Sequence, residues 1–207
     1  MGTWREHRRQ KALAKRKVKR KKARETNPAF LSRFPVADIL AVAQAPTYEC
    51  KVPANLFEMG IGNVVFSRQL PCGQIAASVF LLDVYCLGVK NAFYSIVDVA
   101  EFKNLIDKIS YDYPLQEIHP AGVRKLVEGG VAYARQFGLN PHADYLTAAK
   151  LFGVVDALSC PVTYEFGHEG KPFYISGPND TPARIRQIVD LLEQKCGLDG
   201  FDYQISN

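Results

Sequence analysis

Lysine and arginine side chains are concentrated at the amino-terminal end of the chain, where their chemistry would be the binding of phosphate. Residues 1–25 contain 12 of the 26 lysines and arginines and two acidic residues, a formal charge of +10. Cationic side chains neutralise the phosphates of a nucleic acid and release its condensed counterions, whatever the base sequence. The predicted nucleic-acid-binding residues are Arg5, Arg8, Arg9, Lys11, Lys15, Arg16, Lys17, Lys19, Arg20, Lys21, Lys22 and Arg24.

The rest of the chain carries the opposite charge, with 14 basic and 19 acidic residues in 26–207. A block of like charge cannot bury apolar surface, so residues 1–27 are predicted to form a disordered or conditionally helical arm. Trp4 could add stacking on a base. RNA is slightly favoured over DNA as the partner, because no DNA-reading motif is visible in the sequence. The alternatives are a solubilising tail and a targeting signal. An acidic membrane is disfavoured because the arm lacks a bulky apolar face.

Asp83 is the residue of the body whose sequence surroundings suggest catalysis. It falls within the apolar stretch 75–87, where a carboxylate must find a partner or a metal to offset its desolvation. In a metal-dependent nuclease or another phosphoester hydrolase, such an aspartate would be one ligand of a two-metal cluster. The candidates to complete the cluster are Glu117, Asp144, Asp156 and Glu165. The alternative is a structural aspartate that accepts backbone amides or pairs with Lys90 or an arginine.

Cysteine and histidine residues give weaker indications of a site. A zinc site would require Cys50, Cys86, His119 and His142 to converge from separate elements, since the chain has no Cys-x-x-Cys pair. We therefore predict no metal and no cofactor. Five widely spaced cysteines, behind a charged rather than an apolar amino terminus, are typical of reduced thiols in a cytoplasmic protein.

The motifs of nucleotide hydrolysis, dinucleotide binding and the familiar hydrolases do not occur in the sequence. There is no Gly-x-x-x-x-Gly-Lys-Ser/Thr loop, Gly-x-Gly-x-x-Gly fingerprint, Gly-x-Ser-x-Gly elbow or His-Glu-x-x-His helix. Glu169-Gly170-Lys171 matches the end of one nuclease signature, but that signature needs a strand. Gly170 indicates a turn instead, so this match supports no activity.

The secondary structure predicted from the sequence indicates one α+β domain over residues 28–207, which must position these residues. Strand-like segments at 63–70 and 75–87, separated by the turn residues 71–74, predict a hairpin. Its second strand is apolar on both faces, which is typical of a central, doubly covered strand. Segments 162–166 and 173–176, on either side of a turn at 168–171, predict a second hairpin. The two hairpins would build a mixed sheet.

Helices are predicted between the two hairpins and at both ends of the domain. The central block consists of helices near 99–109, 120–137 and 141–152, the last with Asn140 and Pro141 as its N-cap and first residue. A short helix begins near Pro35, and a terminal helix follows Thr181 and ends at Cys196. We expect the helices to cover one face of the sheet and residues 201–205 to add an edge strand.

Several strings in the body are similar to those of known sequences. They are YEC (48–50), LDVYCLGVKNA (82–92), PHADY (141–145) and GKPFYISGP (170–178). As a set, spread between Tyr48 and Asp180, they resemble a family of uncharacterised bacterial proteins. The resemblance implies no activity and no site residue.

The sequence thus predicts a cytoplasmic, non-catalytic nucleic-acid-associated protein that binds RNA or a ribonucleoprotein through its basic arm. One alternative is the metal-dependent nuclease or phosphoester hydrolase with Asp83 as a metal ligand. The other is a protein-interaction module that the arm merely localises.

Overall fold

The structure, a computed structural model, describes residues 37–111 and 113–205. The basic arm lies outside the described residues, and so do the predicted boundary at residue 27 and the predicted start of the first helix near Pro35.

A five-stranded antiparallel sheet forms the centre of the protein. Its strands are β1 (Thr47–Pro53), β2 (Ile61–Gln69), β3 (Ile75–Asp83), β4 (Gly88–Val97) and β5 (Leu115–Glu117). Their spatial order is β4-β3-β2-β1-β5. β2 and β3 pair without interruption from Ile61 opposite Asp83 to Gln69 opposite Ile75, which confirms the first predicted hairpin. β3 lies inside the sheet, as its two apolar faces predict.

Six helices accompany the sheet in the described residues. They are α1 (Ala37–Val42), α2 (Leu56–Met59), α3 (Val99–Ser110), α4 (Pro120–Gln136), α5 (Tyr145–Ala149) and α6 (Pro182–Cys196). The predictions for α3, α4 and α6 are confirmed, and local side chains explain two of their starts. Asp98 forms a capping box with Glu101 at α3, and the Thr181 hydroxyl accepts the Arg184 N–H at α6.

The helix predicted to begin at residue 141 begins at Tyr145 instead. Its last turn continues as a 3₁₀ turn, Lys150–Phe152. The backbone N–H of His142 donates to Val89 O at 2.9 Å, which ties the preceding chain to β4. Asp144, rather than Asn140, is the residue that precedes the helix. A tertiary hydrogen bond thus outweighs the local Asn140–Pro141 start signal.

Apolar side chains cover both faces of the sheet. On one face, Phe66, Phe80 and Leu82 pack with residues of α4 such as Val127. On the other face, Val65, Ile75, Ala77 and Val79 pack with Phe102 and Ile109 of α3. The expectation that helices cover a single face is therefore wrong for α3, because the doubly apolar β3 needs a cover on each side.

The chain after β3 differs from the prediction, because strand 75–87 ends at Asp83. Residues 84–87 form a turn, and β4 returns along β3 from Gly88 opposite Asp83 to Val97 opposite Ile75. No element was predicted from the sequence over 88–97.

The predicted second hairpin is replaced by other pairings. β6 (Phe173–Ile175) pairs in parallel with β7 (Asp202–Gln204), the strand expected at 201–205. The turn itself forms, since the His168 N–H donates to Lys171 O at 2.7 Å. The residues on either side of this turn bond to the loop 84–87 and not to each other. Gly167 N donates to Val84 O at 2.8 Å, and Phe173 N donates to Tyr85 O at 3.0 Å. The fold is α+β, as predicted.

Within the described ranges, no helix combines the length and the apolar character needed to cross a bilayer. The longest helix, α4, has 17 residues.

Candidate functional site

Asp83 is a buried turn-forming residue with 1% of its surface exposed. Its Oδ1 accepts the backbone N–H groups of Tyr85 at 3.1 Å and of Cys86 at 3.0 Å. An aspartate that bonds the backbone two and three residues ahead stabilises a turn in place of a backbone acceptor. This geometry corresponds to the structural alternative considered for Asp83.

The structure does not bring the predicted catalytic residues together. Glu117 lies on β5 with an 84% exposed side chain, 3.7 Å from Lys51 Nζ. Asp144 precedes α5, and its Oδ2 lies 3.6 Å from His142 Nδ1. Asp156 accepts the Leu158 N–H at a 3₁₀ turn. Between residues 37 and 205, position 112 excepted, no three His, Cys, Asp or Glu side chains are placed to hold a metal ion. Among the described residues, Cys50, Cys86, His119 and His142 therefore form no such group either.

A groove of about 960 Å³ lies beside β5. One side is lined by the end of β1 and by α2, through Val52 and Phe57, and by Gln116 and Ile118 at β5. Residues 163–170 line it as well. Of the residues that line this groove, the sequence analysis names Glu165 as a possible metal ligand, and Glu169 and Gly170 in a match to a nuclease signature that supports no activity.

Aromatic rings dominate the groove. The rings of Phe57 and Tyr164 are nearly parallel, with 6° between their planes and 6.0 Å between their centroids. The centroid of Phe166 lies 6.3 Å from that of Phe57. Phe57 is 38% exposed, so part of its ring faces solvent. These rings offer flat, apolar faces to a ligand.

Glycines on α4 leave room for the side chains of this aromatic segment. A Cβ atom on Gly129 would lie 2.8 Å from the Phe166 ring, and one on Gly122 would lie 3.1 Å from the Tyr164 hydroxyl. Tyr133, also on α4, stacks on Phe166 with 5.8 Å between centroids. Burial raises the pKa of Tyr164 to about 12, and the nearby Cys160 adds to the effect. The Tyr164 hydroxyl is therefore neutral near pH 7.

The main chain of residues 161–166 is unpaired. These residues belong to no helix or strand, and none of their backbone groups bonds to another residue of the described ranges. Among the described residues, β5 pairs with one strand only, β1, and its other edge has no partner. Residues 163–166 of the first segment and Gln116 of β5 line the same groove. Main-chain segments without pairing partners are typical of surfaces that add an extended peptide.

The groove carries negative formal charge. Glu165 and Glu169 are both exposed, and the described residues that line the groove include no lysine or arginine. A phosphate backbone is therefore a poor ligand for this surface, whereas a positively charged ligand is favoured.

Many basic side chains in the described part of the body are already bound to other groups of the protein. Seven of the thirteen in the described ranges make intramolecular polar contacts: Lys51, Arg68, Lys90, Arg124, Lys125, Lys171 and Arg184. The other six, Lys103, Lys108, Arg135, Lys150, Arg186 and Lys195, are spread over four elements. A continuous basic surface of the body is not indicated.

Comparison of the sequence with protein-family models, with curated proteins and with solved structures gave no match. The resemblance to a bacterial family stays a prediction. In the sequence, the signal for the groove is the pair of aromatic residues Tyr164 and Phe166, which the sequence analysis assigns to one strand of the second hairpin.

Proposed function

We propose that this chain is a non-catalytic, cytoplasmic nucleic-acid-associated protein whose basic arm binds RNA or a ribonucleoprotein surface. The observation that carries the proposal is the segregation of charge: +10 in residues 1–25 against an excess of five acidic residues in 26–207. A polyanion is the partner that such an arm attracts most strongly. The five free thiols support a reducing compartment.

The body supports this division of roles because it offers few cations for phosphate. Seven of the thirteen basic side chains in its described residues are bound to carbonyls or carboxylates of the protein, and the groove is acidic. The arm supplies the attraction to nucleic acid. The body supplies specificity or binds a protein partner.

The experiment removes six positive charges either from the arm or from the body of the full chain. The arm variant changes residues 15, 16, 17, 19, 20 and 21 to glutamine. The control changes Lys103, Lys108, Arg135, Lys150, Arg186 and Lys195 to glutamine and has the same net charge. Affinity for a fluorescent 20-nucleotide RNA is measured by anisotropy against salt concentration.

We expect the arm variant to bind RNA about 100-fold more weakly at moderate salt and with a shallower salt slope, because each lost phosphate contact removes about 0.7 from that slope on single strands. The control should change affinity less than about threefold. Equal losses in both variants would show that net charge, not the arm, binds RNA.

A second role, as a protein-interaction module, is favoured by one observation, the aromatic groove with its unpaired main chain. The arm and the groove are separate parts of the chain, so each role has its own variants and its own test. A pull-down after nuclease treatment tests the second role: a partner retained by the wild type and lost on Phe57→Ser supports it, and loss of every partner with the nucleic acid contradicts it.

A further inference from the structure

We propose that the aromatic groove is a binding site for an arginine- and lysine-rich peptide, and that its occupant is this chain's own arm, residues 5–24. In this arrangement the arm is held by the body until nucleic acid competes for it. Only the competition rests on the proposed function; the docking itself does not.

The chemistry of the groove selects a cation. Guanidinium and ammonium groups bind the faces of aromatic rings within about 6 Å, more strongly where water is partly excluded. Phe57, Tyr164 and Phe166 supply such rings, and Glu165 and Glu169 supply carboxylates in the same groove. The arm carries twelve cationic side chains. The groove and the arm are therefore complementary in charge.

The main chain of the groove suits an extended ligand. Residues 161–166 have unpaired amide and carbonyl groups among the described residues, and β5 has an unpaired edge there. A peptide strand that bonds either of them would direct alternate side chains towards the rings. Arginines and lysines recur along the arm closely enough to occupy such positions in several registers.

The arm can reach the groove within one molecule. Residues 25–36 connect it to Ala37, and twelve extended residues span up to about 40 Å. A domain of this size has a diameter of about 40 Å. Tethering gives the arm an effective concentration in the millimolar range at the groove, so even a weak site is filled.

The first test places a photo-cross-linker in the groove of the full chain. p-Benzoylphenylalanine replaces Phe57 in one sample and, as a control, Tyr111, an 84% exposed aromatic residue after α3 that does not line the groove. We expect the probe at position 57 to cross-link to residues 5–24 of the same molecule and the control to give no such product. A 20-nucleotide RNA should abolish the cross-link.

The second test removes the groove's charge with exposed, conservative substitutions. Glu165→Gln combined with Glu169→Gln should weaken the cross-link and raise affinity for RNA about threefold, because the arm is released. The control pair, Asp190→Asn with Glu193→Gln on α6, changes net charge equally and should leave the cross-link intact. An equal gain in RNA affinity in both pairs contradicts the proposal.

Three cross-linking results would overturn the assignment: products elsewhere in the chain, no products, or products only between two molecules. A cross-link to the arm in a protein that does not bind RNA would support the docking and refute the proposed function. The two proposals thus fail separately.

Discussion

The Oδ1 atom of Asp83 accepts the backbone N–H of Cys86 at 3.0 Å, and this bond closes the turn that reverses β3 into β4. The residue whose sequence surroundings suggest a metal ligand thus stabilises a turn. The same bond satisfies the buried carboxylate, because a buried carboxylate needs hydrogen-bond donors.

Substitutions at Asp83 test its role in the turn through the free energy of unfolding. Asp83→Ala removes the acceptor for two buried amides and should lower the free energy of unfolding by about 2 to 3 kcal/mol. Asp83→Asn keeps an acceptor oxygen and should lose less. Urea unfolding measures both variants. Equal losses would show that the negative charge, rather than the acceptor geometry, stabilises the turn.

Arg68 is expected to be a major contributor to stability. The residue is 4% exposed, and its guanidinium donates from Nε to Leu151 O at 2.8 Å, from Nη2 to Phe152 O at 2.7 Å, and from Nη1 to Ala45 O. Burial lowers the pKa of Arg68 from its ordinary value. Arg68→Lys cannot reproduce this fork and should lower the free energy of unfolding by about 2 kcal/mol, and Arg68→Ala by about 4 kcal/mol.

The matched control for Arg68 is Arg184, an exposed residue whose side chain bonds Gln187. Arg184→Ala should change the free energy of unfolding by less than about 0.5 kcal/mol. Similar losses at the two positions in urea unfolding would contradict the buried role of Arg68.

Gly88 should tolerate no side chain. Its φ is +61°, and an added Cβ would lie 2.7 Å from the carbonyl oxygen of Gly130 on α4. Gly73 also has positive φ, +84°, but has no atom within 4 Å of an added Cβ. Gly73→Ala should therefore cost about 1 kcal/mol for the backbone alone, and Gly88→Ala at least about 2 kcal/mol more. Thermal unfolding compares the two, and equal shifts in Tm would contradict the close approach of β4 to α4.

Cys50 should make stability fall at high pH. Burial raises the pKa of its thiol to about 11 from an ordinary 9.0. The unfolded chain loses this proton first, so the contribution of Cys50 is complete below about pH 9 and is lost as the pH rises towards 11. The difference in unfolding free energy between the wild type and Cys50→Ala should shrink by about 2 kcal/mol over that range.

Urea unfolding under reducing conditions at several pH values tests this expectation. Buried tyrosines titrate in the same region, but they are present in both proteins and cancel in the comparison. Cys72→Ala, at an exposed position, is the control for the loss of a thiol and is unfolded at the same pH values. A constant difference between the wild type and Cys50→Ala would contradict the prediction.

Features with local causes could be predicted from the sequence. The helices α3 and α6 begin where Asp98 and Thr181 cap them, and the hairpin of β2 and β3 follows from two strand-like segments separated by turn residues. The segregation of charge in residues 1–25 needs no structure at all, because it depends on composition along the chain.

Tertiary structure alone decided which backbone groups pair. Phe173 could have joined residues 162–166 in a hairpin, yet its N–H bonds Tyr85 O, and β6 pairs with β7. Competition among distant partners depends on contacts that no local pattern records. The aromatic groove results from that competition, since residues 163–166, which pair with no other described strand, line it together with Gln116 of β5. The sequence determined the capped helices, the first hairpin and the charged arm; packing determined the groove.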